Sequence, residues 1–172
     1  MLHIKPEKAE DIDIISEINR QAFGGETESD LITSIRASEN FIPELSLVAE
    51  LDDRLVGHIL FSVISIQQSD GDHPALSLAP MAVLPSHQGQ GIGSALVLRG
   101  VKECRRLGHE AVIVVGHPEY YPRFGFEPAR KFGLSMEFDV PDEAFMVLEL
   151  EKGVLKNIRG MVKYPPAFDS AT

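Results

Sequence analysis

Three glycines that alternate with other residues, Gly89, Gly91 and Gly93, constrain this chain more than any other feature. They lie in "LAPMAVLPSHQGQGIGSALVLRG", after an apolar run that ends at Pro85 and before a segment with helical periodicity. The first amides of a helix lack main-chain partners and carry partial positive charge, and glycine lets a ligand approach them closely. The stretch therefore predicts a strand, an anion-binding loop and a helix, in that order.

Two known phosphate-binding motifs and a turn without a ligand are possible interpretations of the glycine loop. A P-loop requires lysine directly after its last glycine, and Ser94 stands there, so this class is excluded. The dinucleotide fingerprint G-x-G-x-x-G fits Gly89 and Gly91 but has serine at position 94. Its loop also belongs after a first strand near the N-terminus, which disfavours it. A glycine-rich turn without a ligand stays open on the loop alone.

Composition limits the function classes. The 172 residues suit a single domain, 1–172, with a core over about 2–151 and an irregular tail at 152–172. A net charge of −10 argues against nucleic-acid binding and weakly favours a cationic partner. A single cysteine, Cys104, forms no internal disulfide or cysteine metal cluster and favours a reducing compartment. Without a signal-like start or an apolar run of about 20 residues, we expect a cytoplasmic protein that does not bind membranes.

Hydrophobic periodicity predicts the elements. Apolar residues at helical spacing predict a helix over Ala9–Phe23, and Thr27 or Ser29 is expected to cap a second helix. Runs typical of strands are "HIKP", "LSLVAEL", "LVGHILFSVISI", "ALSLAPMAV", "AVIVVG" and "FMVLEL". A third helix over about 91–107 joins two of these strands as a parallel pair. The fold class is therefore α+β, a single domain with a mixed sheet.

The glycine loop and a later motif together resemble the GNAT N-acetyltransferase superfamily. Its signature of Gln or Arg, two residues, Gly, one residue, and Gly or Ala matches Gln88, Gly91 and Gly93. Its later Y-x-x-x-G-F element matches "YYPRFGF" from Tyr121 onward, and the order of elements agrees from "IKPEKAEDI" to "FMVLEL". The resemblance implies a mostly antiparallel sheet with a central splayed parallel pair and helices on both faces. It also implies acetyl-coenzyme A (acetyl-CoA) as acyl donor, and no metal.

The resemblance implies a donor site in which main-chain amides hold the diphosphate and the pantetheine arm lies beside the preceding strand. The residues expected there are Met81, Ala82, Val83, Gln88, Gly89, Gln90, Gly91, Ile92, Gly93 and Ser94. Pro80 lacks a ladder donor, so it marks either the bulge that opens the slot, which we favour, or a sheet edge. Arg99 and Arg123 either reach the coenzyme's 3′-phosphate or are solvated, and we favour solvation.

Acyl transfer to an amine needs a deprotonated amine, donors for the carbonyl oxygen and a proton for the leaving thiolate. By resemblance, a main-chain N–H near Val83 polarises the carbonyl and Tyr121 protonates the thiolate, without a covalent acyl-enzyme. His117 is our first choice of general base. Glu26 and water compete with it, and Glu28 and His58 are further candidates. Cys104 is expected to be a small core residue.

The leading hypothesis is an N-acetyltransferase that moves an acetyl group from acetyl-CoA to a primary amine. The alternatives are a catalytically inactive acyl-CoA-binding or regulatory module of the same fold and a nicotinamide-dependent oxidoreductase. A small-molecule amine or a peptide N-terminus is the expected acceptor, and the negative charge hints at a cationic one such as a polyamine or aminoglycoside. A homodimer is a further expectation from the resemblance.

Overall fold

The computed structural model describes residues 1–171, which form one mixed sheet of nine strands with helices packed on it. The strands are β1 (Leu2–Pro6), β2 (Phe41–Leu51), β3 (Arg54–Gln68), β4 (Gly71–Val83), β5 (Ala111–Val115), β6 (Glu127–Pro128), β7 (Leu134–Met136), β8 (Phe145–Glu149) and β9 (Gly160–Lys163). Along the order β1-β2-β3-β4-β5-β8-β6, only the central β4–β5 pair is parallel. The predicted mixed, mostly antiparallel sheet is confirmed.

Three α-helices accompany the sheet: α1 (Ile12–Phe23), α2 (Thr27–Arg36) and α3 (Ile92–Arg106). α1 is shorter than predicted because Ala9–Asp11 forms a 3₁₀ turn. The predicted cap of α2 is wrong, because Glu26 occupies the N-cap and no side chain bonds the free amides there. Thr27 is the first helical residue, and Ser29 is buried inside the first turn.

Apolar side chains fall into two clusters because successive residues of a strand point to opposite faces. Ile59 belongs to the cluster that contains Val97 of α3, whereas its neighbour Leu60 packs with Ile32 of α2. The helices therefore cover both faces, as predicted. α3 approaches the sheet closely because residue 100 is glycine. A Cβ there would lie 2.3 Å from Cε1 of Phe61.

The tail that the sequence predicted to be irregular contains a strand. β9 pairs antiparallel with 65–67 of β3 and parallel with β7. Gly160 allows this approach, since a Cβ there would lie 2.0 Å from the carbonyl oxygen of Gln67. Leu155 and Phe168 are also buried, so the core extends past residue 151.

The only cysteine of the chain, Cys104, lies in the core. Cys104 is fully buried in α3, and this burial raises the pKa of its thiol to about 12. The thiol is therefore neutral and unreactive, which confirms its predicted role in the core. Among residues 1–171, no helix has the length and apolar character needed to cross a bilayer.

A buried polar chain links Glu7, directly after β1, with β2, β3 and α2. Nε2 of His58 lies 2.9 Å from Oγ of Ser46, and that hydroxyl also contacts the carboxylate of Glu7. Arg36 donates two hydrogen bonds of 2.9 and 3.1 Å to Glu7. Burial, and secondarily the charge of Arg36, lowers the pKa of His58 to about 3, so the folded protein holds a neutral imidazole.

The low pKa of His58 predicts a pH-dependent stability. Unfolding restores the pKa of His58 to about 6.5. The free energy of unfolding is therefore unaffected by this group above pH 6.5, and it falls as the pH is lowered from 6.5 toward 3. The slope approaches about 1.4 kcal/mol per pH unit once the unfolded histidine is protonated. Urea unfolding of the wild type between pH 7.5 and 4.5 measures this slope. His58→Gln, which removes the titration, is expected to flatten it, and equal slopes in the two proteins would contradict the assignment.

Candidate active site

The central parallel strands separate and leave a slot between them. β4 and β5 pair only at Leu76 with Val112 and at Ser77 with Ile113, although β4 continues to Val83. No β4–β5 pairing follows Ser77 within the described residues. The main-chain groups beyond this point are therefore free to pair with an inserted ligand.

Pro80 lies in a bulge at the start of the slot. The β3–β4 register jumps from Met81 opposite Ile59 to Leu78 opposite Phe61. Ala79 and Pro80 thus face a single residue of β3, which is the arrangement of a bulge. β4 lies between β3 and β5 and is not an edge strand of the sheet, so the alternative that Pro80 merely lies on a sheet edge is wrong, although the β5 side of β4 is open beyond Ser77.

The strand alternation orients the main chain of β4 along the slot. The amide of Leu84 donates to the carbonyl of Val56 at 2.9 Å. Since antiparallel residues alternate in bonding direction, Ala82 bonds β3, whereas the N–H and C=O groups of Met81 and Val83 point away from it. The carbonyl of Val83 already accepts a 2.9 Å bond from Nε2 of Gln88, and its second lone pair stays available.

The glycine loop presents free amides at the start of α3. Gly89 and Gly91 have φ angles of +79° and +83°, which glycine adopts without strain. The first main-chain bond runs from Ala95 N to Gly91 O at 3.0 Å, so the amides of 92–94 make no bond inside the helix. No carboxylate lies in this first turn, although the chain is acidic. The loop thus forms a concave site suited to an anion.

A cavity of about 330 Å³ lies over this loop. The predicted residues Val83, Gln88, Gly89, Gly91, Ile92, Gly93 and Ser94 line it, together with His87, Tyr120 and Arg123. Gln90 is exposed in the loop, and Ala82 is a buried residue of β4; neither lines the cavity. Arg123, which lies over the Tyr120 ring at 5.0 Å, adds a cation here. Arg99 instead pairs with Glu103 on the exposed surface of α3.

A second cavity, of about 550 Å³, occupies the slot itself. Its walls include Met81 of β4, Val114 of β5, and His117, Tyr120 and Tyr121 from the segment after β5. Tyr120 lines both cavities, and its hydroxyl lies 3.0 Å from Oγ of Ser94. Tyr120 therefore marks the junction between the anion-binding loop and the slot.

Tyr121 lies against the end of β5. Its ring fits because residue 116 is glycine, as a Cβ on Gly116 would lie 2.5 Å from Cε2 of Tyr121. Phe126 and Tyr120 hold the ring edge-on at centroid distances of 5.6 and 5.1 Å. Burial raises the pKa of its phenol to about 12, so the hydroxyl keeps its proton at neutral pH.

Of the candidate general bases, two line the slot cavity and two do not. His117 is exposed, and Glu28 is partly buried; both line the slot cavity. Glu26 lies outside it and accepts two bonds, of 2.8 and 2.9 Å, from Nε of Arg20. His58 is fully buried and lines neither cavity. The sequence-based prediction preferred Glu26 to Glu28, but the structure brings Glu28, in the first turn of α2, and not Glu26 to the slot cavity.

A third cavity, of about 430 Å³, adjoins the slot and shares Leu31, Leu78, Ala79 and Val115 with it. Its remaining walls are Ser77, Phe138, Val140, Tyr164 and Phe168. Sequence reasoning missed all of these because they follow the recognised motifs or lie on β4 upstream of the bulge. The aromatic residues in "FDV" and "KYPPAF" were the available signal.

Comparisons with known proteins agree with this geometry. The model of the Acetyltransferase (GNAT) family matches residues 12–126. The uncharacterized N-acetyltransferase YjhQ of Escherichia coli K12 is 40% identical over 131 residues, which are 75% of this chain and 72% of YjhQ. The crystal structure of E. coli YhbS, a GNAT family N-acetyltransferase in complex with CoA, superposes with a TM-score of 0.90. That pair is 30% identical, covering 98% of this chain and 92% of YhbS. A Brucella melitensis GNAT family acetyltransferase in complex with acetyl-CoA has a TM-score of 0.80, at 29% identity over 98% of this chain and 99% of its own.

Proposed function

Because this chain belongs to the GNAT acetyltransferase family, we propose that it is an N-acetyltransferase that moves the acetyl group of acetyl-CoA to a primary amine. The observation that carries the proposal is the pairing of a free-amide glycine loop with an open slot between β4 and β5. The loop fits a diphosphate, and the slot leads from it past Tyr120 to Tyr121.

We propose the following roles for the donor-site residues. The amides of 92–94 hold the diphosphate, and Arg123 adds a charge that an anionic ligand favours. The outward main-chain groups of Met81 and Val83 bind the pantetheine arm as an added strand. This arrangement places the thioester beside Tyr121, where a main-chain N–H of β4 polarises its carbonyl oxygen.

The reaction then needs no covalent acyl-enzyme. The amine nitrogen attacks the carbonyl carbon, the C–N bond forms and the C–S bond breaks. Tyr121 gives its phenolic proton to the leaving thiolate and regains one from solvent. The amine loses its proton to Glu28, His117 or water, of which the first two line the slot.

Replacing Glu28, the carboxylate that lines the slot cavity, is expected to weaken binding of the amine. Glu28→Gln removes the negative charge nearest the incoming ammonium, so we expect the KM for the amine to rise by at least about fivefold. The matched variant Glu26→Gln removes a carboxylate two residues away that pairs with Arg20. Steady-state kinetics at saturating acetyl-CoA measure both. Equal effects of the two substitutions would contradict a role for Glu28.

The experiment that tests the proposed function is release of free thiol from acetyl-CoA in the presence of primary amines. We expect amine-dependent release together with a rise in melting temperature on adding CoA or acetyl-CoA, but not NADH. Binding of CoA without release for any amine would favour the inactive acyl-CoA-binding module. Stabilisation by NADH alone would favour the oxidoreductase.

A further inference from the structure

We propose that the acceptor is a small primary amine with one apolar substituent, aromatic or branched aliphatic, held in the third cavity beside the slot. This inference rests on the proposed acetyl transfer and names the class of amine that the site takes. The third cavity begins where the slot cavity ends, because the two share wall residues of β4 and β5. An acceptor that enters through it meets the thioester side of the slot rather than the anion-binding loop.

The apolar character of the walls is the first argument. Phe23, Val115 and Phe138 are among the few large apolar side chains of the described residues that stay exposed, at 46%, 43% and 45%. All three line either the slot or the adjoining cavity. Exposed apolar side chains gathered around a cavity are typical of a binding site for an apolar group.

Aromatic side chains build the far wall. The ring of Tyr164 lies 5.7 Å from that of Phe138 and 4.9 Å from that of Phe168. The Tyr164 side chain interacts with Ser77, which also lines the cavity, and its main-chain amide donates to Glu137 at 2.6 Å. These contacts hold the Tyr164 ring in place, and the wall presents mostly ring surface, which suits an aromatic or branched group.

The distribution of charge is the second argument. Glu28 is the only carboxylate among the described residues that line the two cavities, and neither Lys nor Arg lines them. One carboxylate matches one ammonium group, whereas a polyamine or aminoglycoside brings several cations. The net negative charge that hinted at a cationic partner is therefore not concentrated in these two cavities. A separate cavity of about 620 Å³, formed by α1, the β2–β3 turn and the end of β1 with the segment after it, is lined by six acidic residues and by three basic ones: Glu10, Asp11, Asp13, Glu17, Glu50 and Asp53, with Lys5, Lys8 and Arg54.

The position of the wall in the chain is consistent with a specificity role. The family model matches residues 12–126, which include the loop, the slot and Tyr121. Phe138, Val140, Tyr164 and Phe168 all lie beyond that match. The proposed donor site thus lies within the part of the chain that matches the family, whereas the far, aromatic side of the third cavity lies C-terminal to that match.

Thiol release with a panel of amines tests this inference on the full chain. We expect kcat/KM for 2-phenylethylamine and isoamylamine to exceed that for ethylamine, spermidine and the peptide Gly-Gly-Gly by at least 100-fold. Preference for spermidine, or for peptides whatever their first residue, would overturn the inference while leaving acetyl transfer intact. Absence of release with every amine would overturn the proposed function as well.

Variants at an exposed wall position separate binding from folding. Phe138→Asp places a charge against the apolar group, so we expect KM for 2-phenylethylamine to rise at least tenfold with unchanged affinity for CoA. Phe138→Leu is expected to change that KM less than threefold. Leu98→Asp changes another exposed apolar residue, 60% exposed on α3, and is expected to leave the KM as it is. Equal KM values for wild type and Phe138→Asp would contradict the proposed wall.

Discussion

Replacing Gly91 with aspartate is expected to abolish measurable binding of CoA without unfolding the protein. Gly91 is the N-cap of α3 and lies directly before the free amides of 92–94, so a carboxylate there occupies the site of the diphosphate. Repulsion between these anions is expected to reduce affinity at least about 100-fold. Calorimetric titration with CoA measures the change.

The expected stability of Gly91→Asp makes the result informative. No heavy atom other than its chain neighbours lies within 4 Å of a Cβ built on Gly91. Aspartate and asparagine tolerate the left-handed conformation better than most residues, and a negative charge favours a helix N-terminus. The matched control is Gly91→Asn, which has the same shape without the charge and is expected to lose less than about tenfold in affinity. Equal losses of CoA affinity in the two variants would show that the size of the added side chain, and not its charge, prevents binding.

Replacing Tyr121 with phenylalanine is expected to lower kcat at least about tenfold, which is the range for removing a positioned general acid. The ring keeps its contacts with Gly116, Tyr120 and Phe126, so the fold and the affinity for CoA are expected to stay nearly unchanged. The measurement is turnover at saturating acetyl-CoA and amine, together with the Kd for CoA. Turnover equal to that of the wild type would remove Tyr121 from the mechanism.

Tyr120→Phe is the matched variant for Tyr121→Phe. Its hydroxyl lies 3.0 Å from Oγ of Ser94 in the first turn of α3, so it belongs to the donor loop as well as to the slot. We therefore expect that removing the Tyr120 hydroxyl raises the Kd for CoA by a larger factor than it lowers kcat. If Tyr120→Phe lowers kcat and Tyr121→Phe does not, the two tyrosines exchange roles and the assignment by motif is wrong.

The donor half of the fold was predictable because its chemistry is local. Glycine spacing predicts the loop, Pro80 predicts the bulge, and continuous apolar runs predict β4 and β5 around α3. Each of these signals depends on the backbone preferences of a few residues. The structure confirms the elements at nearly the predicted bounds.

The region proposed to hold the acceptor was not predictable because its contacts are distant in sequence. β9 is only four residues long and precedes Pro165 and Pro166, and its pairing with β3 spans about a hundred residues. Glu26 and Glu28 are equivalent in the sequence, and only the bond from Arg20 to Glu26 and the orientation of α2 separate them. Side chains that meet through such nonlocal pairing leave no motif.

In the proposed donor site, bare peptide amides at the start of α3 hold a diphosphate and so anchor the acyl carrier in the slot. Calorimetry of the wild type with pantetheine, 4′-phosphopantetheine, dephospho-CoA and CoA tests this in three steps, which add the first phosphate, then the second phosphate with adenosine, and then the 3′-phosphate. We expect the large gain in affinity to come with the two steps that build the diphosphate, at least 100-fold in all, and the 3′-phosphate to add less than tenfold. Pantetheine binding as tightly as CoA, or a gain that comes mainly from the 3′-phosphate, would contradict the proposed donor site.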